Sequence, residues 1–82
     1  MDTEDINALI EFLAQIQEDV TVPKNVRLKL DGAMKALQQQ EGDIKIKANR
    51  ALQQLDEISD DPNIPPYVRP QIWNVVSQLE SV

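Results

Sequence analysis

Eighty-two residues carry 14 acidic and 8 basic side chains, a net charge of −6, and neither cysteine nor histidine. That length allows one small domain with a thin core. The charge argues against general nucleic-acid binding and anionic membrane surfaces, and the missing residue types remove disulfides, thiolate nucleophiles, cysteine metal sites and the commonest general base.

The chain starts Met1-Asp2-Thr3-Glu4-Asp5, acidic where a signal peptide is basic, and no apolar run approaches a bilayer span, so a cytoplasmic location is the default. Four stretches then carry apolar residues at helical spacing. The first stripe is Ile6, Leu9, Ile10, Leu13 and Ile16, with acids at its start that suit the helix dipole. After the loop Glu18-Asp19-Val20-Thr21 comes the second, Val26, Leu30, Ala33, Met34 and Leu37. Glu41-Gly42-Asp43 follows: Gly42 suits a left-handed residue after a helix, and Asp43 can cap the next one. The third stripe is Ile44, Ala48, Ala51, Leu52, Leu55 and Ile58, and the fourth is Val68, Ile72, Val75, Val76 and Leu79. No segment alternates in the strand manner for long, so the expected class is all-α.

The second half repeats the first. Asn7, Leu13, Ile16, Asp19, Pro23, Val26, Arg27 and Leu37 recur, forty-two positions on, as Asn49, Leu55, Ile58, Asp61, Pro65, Val68, Arg69 and Leu79. Short loops within each half force antiparallel neighbours. The expectation is a single domain over 1–82, with repeat one at about 3–40 and repeat two at about 43–82, each an antiparallel helical hairpin. Thr21 and Asn63 fall at matching N-cap positions ahead of Pro23 and Pro65. Pro70 matches Leu28, inside the expected fourth helix: either the helix is kinked there, which is the favoured reading, or its first turn is irregular and regular helix starts near Pro70.

The loop-to-helix signature Asp19, Pro23, Val26, Arg27 and Asp61, Pro65, Val68, Arg69 resembles helical repeats of the HEAT type. Proline sets the start of the helix, valine anchors it, and arginine lays its stem on apolar surface while its guanidinium reaches a loop carboxylate or carbonyl. The wider C-terminal pattern, Asp61-Pro62-Asn63-Ile64-Pro65 with Ile72-Trp73-Asn74-Val75-Val76, resembles the archaeal "uncharacterised protein family 0147", and Val22-Pro23-Lys24-Asn25-Val26-Arg27 is similar to its first copy. Pro66 and Pro70 depart from the family pattern. The resemblance implies a small helical bundle from an archaeon; it implies no activity and carries over no catalytic residue.

The remaining residues point to binding. Ser59, Ser77, Ser81 and Tyr67 have no histidine to activate them, and Gly32 and Gly42 cannot make a phosphate loop, so no enzyme and no cofactor are expected. Asp56, Glu57, Asp60 and Asp61 lack the spacing of a calcium loop and read as solvated charge. Phe12, Tyr67 and Trp73 lie off the centres of their stripes; sealing the core's edge is the plainer reading, a partner surface the sharper one. Arg27 and Arg69 read first as loop clamps and second as contacts for an acidic partner. The favoured function is a small acidic interaction or scaffold module with Trp73, Tyr67, Asn74, Arg27 and Arg69 as its candidate surface, its protein partner unidentified and a homodimer one candidate assembly. The alternative is a nucleic-acid-associated accessory protein using the local basic group Lys45, Lys47 and Arg50.

Overall fold

A computed structural model describes residues 3–39 and 42–82. Met1 and Asp2, read above as part of the acidic start, and Glu41, read as part of the central turn, lie outside them, as does Gln40. Four helices form: α1 (Thr3–Gln17), α2 (Lys24–Gln38), α3 (Ile44–Ser59) and α4 (Val68–Glu80). No strand occurs among the described residues.

Helix starts follow local chemistry. Glu4 and Asp5 occupy the first turn of α1, where the dipole favours acids. Gly42 takes φ +106°, and Asp43 caps α3 by accepting the Lys45 backbone N–H at 3.0 Å, both as expected. The expected caps Thr21 and Asn63 do another job. Pro23 sits at the N-cap of α2 and Tyr67 at that of α4, neither with a side-chain cap bond. Thr21 and Asn63 instead turn their backbone N–H groups onto Asp19 Oδ1 (2.9 Å) and Asp61 Oδ1 (2.8 Å). The loop aspartates close the turns, as Asx turns do.

Helix α4 starts at Val68, so Pro70 lies in its first turn and not at an interior kink. A first-turn N–H has no intrahelical partner, so its loss at Pro70 is harmless. Extending the helix to Pro66 would drive the Pro70 ring against the Pro66 carbonyl. The chain instead makes a turn closed by Val68 N–H to the Pro65 carbonyl at 3.0 Å.

The four stripes meet in one core that contains Leu13, Val26, Leu30, Leu55, Ile58, Ile72 and Val75, and among the described residues no polar or charged residue is buried. Two of its members are loop residues that the stripes do not include. Val22 and Ile64, forty-two positions apart, are 2% and 5% exposed. Each directly precedes a proline and plugs the loop end of the core.

Helices pack in chain order, α1 on α2, α2 on α3 and α3 on α4, with α2 and α3 the closest pair. Gly32, Ala33, Ala48 and Ala51 give those two helices little side-chain bulk; a Cβ at Gly32 would lie 3.4 Å from Gln54 Cδ. Helix α4 lies antiparallel to α1 and more loosely. Ile16 and Asp19 share a cleft with Tyr67 and Val68 at one end, and Asp5 shares another with Gln78 and Val82 at the other.

Candidate functional site

Both Asp loops lie at one end of the bundle, and the same bonds recur in each. Asp19 and Asp61 donate their backbone N–H groups to the Ile16 and Ile58 carbonyls at 3.1 and 3.0 Å. Arg27 Nη2 donates to the Asp19 carbonyl and Arg69 Nη2 to the Asp61 carbonyl, each at 3.0 Å; Arg69 Nη1 adds the Ser59 carbonyl at 2.7 Å. Both guanidinium groups therefore clamp loop carbonyls. A partner-facing role for these arginines would have to compete with those bonds.

Two further bonds cross between the halves. Asn25 Nδ2 donates to Asp61 Oδ2 at 3.0 Å, and Tyr67 Oη donates to Asp19 Oδ2. Positions 25 and 67 are forty-two apart, as are 61 and 19, so the bonding is reciprocal: each half reaches the other's aspartate. Such reciprocity belongs to a closed two-fold arrangement. The sequence sets Tyr67 against Asn25 as a break in the repeat; the structure shows both doing one job.

These bonds hold the carboxylates charged. The Thr21 hydroxyl (2.7 Å to Asp19 Oδ1), then the Tyr67 hydroxyl and the Thr21 N–H, lower the Asp19 pKa below its ordinary value. At Asp61 the Asn63 N–H lowers it most, followed by the Asn25 amide.

A second feature lies between α3 and α4. Asp56, Ser59, Asp60, Trp73, Val76, Ser77 and Glu80 line a shallow groove of about 420 Å³. Trp73 is 68% exposed in it, so it does not seal the core's edge, whereas Phe12 does pack against the core. The counterpart of Trp73 is Asp31, ion-paired with Lys35 at 2.9 Å, and Ser77 stands at the counterpart of Lys35. The second half thus has an aromatic ring and three carboxylates, Asp56, Asp60 and Glu80, where the first has a neutralised pair and one carboxylate, Glu18. No group of three or more described carboxylates is close enough to hold a metal ion.

The other candidates are dispersed. Asn74 accepts a bond from Gln78 Nε2 at 3.4 Å, on the next turn of its own helix. Tyr67 is 53% exposed around its bonded hydroxyl. Lys45 lies against the α4 C-terminus, while Lys47 faces α1 and the end of α2, so these two of the three basic residues point to different sides. Ile46, between them, is 52% exposed. Its exposure was missed in the sequence, although its position off the α3 stripe signals it.

Fold and groove together define a small all-α protein of four helices with an aromatic surface groove. Relatives share this size. A protein from Methanothermobacter thermautotrophicus is 38% identical over 82 residues, covering 100% of this chain and 80% of that one. One from Pyrococcus furiosus is 40% identical, covering 96% and 86%, and one from Sulfurisphaera tokodaii is 42% identical, covering 94% and 86%. The chain belongs to the Uncharacterised protein family (UPF0147), which matches residues 1–82. A crystal structure of a protein of unknown function superimposes with a TM-score of 0.93 at 39% identity, over 100% of this chain and 93% of that one.

Proposed function

We propose that this protein is a non-catalytic interaction module that binds a protein partner through the α3/α4 groove, with a cytoplasmic location and a homodimer as the first assembly to test. The observation that carries this reading is Trp73, a large aromatic side chain 68% exposed in a concave surface. Aromatic residues concentrate at the centres of interfaces, where burial of their area contributes most. The supporting chemistry is an absence of histidine and cysteine from the sequence and a polar cluster at the loop end whose donors and acceptors already serve the loops. No described helix is long and apolar enough to cross a membrane.

A photo-crosslinking residue placed at Ser77 in the groove, and separately at Glu11 on α1, tests the reading in native cell extract. Adducts formed from position 77 and not from position 11 support it. Equal labelling, or none from position 77, retires it.

A further inference from the structure

The exposed ridge of α3 has two unlike ends. Its N-terminal end carries Lys45, Ile46 and Arg50, and its C-terminal end carries Asp56 and Asp60 beside Trp73. Ile46 is 52% and Trp73 68% exposed. Glu57 on the same ridge is met by Lys29 at 3.8 Å, but neither Asp56 nor Asp60 has a cation within ion-pair distance among the described residues. Helix α1 has no such polarity: Glu4, Ala8, Ala14 and Glu18 stand at the counterparts of Ile46, Arg50, Asp56 and Asp60.

A helix that is basic and apolar at one end and acidic beside an aromatic ring at the other is complementary to itself when reversed. We infer that the groove takes the N-terminal end of α3 from a second copy of this chain, in a two-fold dimer whose axis passes near Gln53. The inference rests on the groove being an interaction surface and names its occupant. Antiparallel alignment about Gln53 sets Arg50 of one copy opposite Asp56 of the other, and Ile46 opposite Asp60, where it reaches the Trp73 ring. The two-fold repeats both contacts, as an isologous interface requires. Alignment in the parallel sense would place like charges together and is disfavoured. Ser77 keeps the groove open to an incoming cation, where Lys35 closes the corresponding place in the first half by pairing with Asp31 at 2.9 Å. The net charge of −6 opposes association at long range, so the dimer depends on these local pairs and on Ile46 against Trp73.

The test is light scattering of the purified full chain across a concentration series, with emission from Trp73, the single tryptophan, read in parallel. The expected result is a concentration-dependent dimer whose tryptophan emission shifts to the blue as it forms. Trp73→Ala, Arg50→Asp and Asp56→Arg each weaken the dimer by about 10-fold or more, worth about 1.4 kcal/mol. The double variant Arg50→Asp/Asp56→Arg restores the dimer, because the two positions face each other across the axis at both ends. Circular dichroism verifies that each variant keeps its helices, and all three sites are exposed. A chain that stays monomeric at every concentration overturns the inference, as does a dimer indifferent to the single changes or one not restored in the double variant. Any of these results leaves the crosslinking test of the groove as an interaction surface to stand or fall by itself.

Discussion

The halves of this chain meet along two seams built from corresponding positions, and the seams are packed differently. Between α2 and α3 the facing residues include Gly32, Ala33, Ala48 and Ala51, and the helices approach closely. Between α4 and α1 the counterparts are Asn74, Val75, Ile6 and Leu9, and the helices stand apart with clefts at both ends. Side-chain bulk at the contact sets the distance between helix axes. The duplicated motif therefore governs the loop ends, where Asp19 and Asp61 make the same bonds, while unrepeated small residues govern the seams.

The largest effect should come from emptying the core beside each seam. Leu55 and its counterpart Leu13 are both fully buried. Replacing either with alanine costs about 2–5 kcal/mol, and the spread reflects how far the surroundings relax into the cavity. Leu55→Ala should fall toward the upper end and Leu13→Ala toward the lower, since the α1/α4 seam has more freedom to close. Urea denaturation measures both, and equal losses would erase the distinction between the seams. Overfilling comes next. Ala51→Leu, which copies Leu9 into the tight seam, should lose about 1–3 kcal/mol in the same assay. Little or no loss would mean that α2 and α3 part as easily as α1 and α4.

A smaller change should act in the opposite direction. At Gly32 an added methyl meets only the flexible end of Gln54, at 3.4 Å, and a glycine inside a helix is weaker than alanine by about 0.5–1 kcal/mol. Gly32→Ala should therefore raise the thermal midpoint slightly, and a lowered midpoint would show the α2/α3 seam to be packed to its limit there.

Acid should expose the loop end, which the two seams share. Asp19 and Asp61 are both held below the ordinary 3.8 when folded. A carboxylate with a lowered folded pKa contributes stability that is fully present above its unfolded pKa and is lost as pH falls through the folded one. Below pH 3.8 the thermal midpoint should drop more steeply for the natural chain than for Asp19→Asn/Asp61→Asn. Identical slopes would remove these aspartates from the tie between halves.

Much of this architecture is written in local chemistry. The spacing of Val26, Leu30, Met34 and Leu37 specifies a helix face, and Gly42-Asp43 specifies a turn, because each depends on residues within a few positions. Pro70 misled for a related reason: its match to Leu28 assumes that both helices start in the same register, while its ring forbids that start. Val22 and Ile64 escape a search for helical stripes because loop residues have no stripe to belong to. The reciprocal bonds of Asn25 and Tyr67 join residues 36 and 48 positions from their acceptors, and no periodicity encodes such pairs. For the groove, Trp73 was legible as an aromatic residue off its stripe, but its acidic surroundings depend on how α3 and α4 come together.

The turn at Gly42 and the cleft shared by Asp5 and Val82 lie at the same end of the bundle, opposite the Asp loops. Because the halves answer each other reciprocally, neither has a structural claim to come first. A permuted chain that opens at Asp43, runs through Val82 and returns by a short glycine-serine linker to Thr3 should reach the same bundle with the order of its halves exchanged.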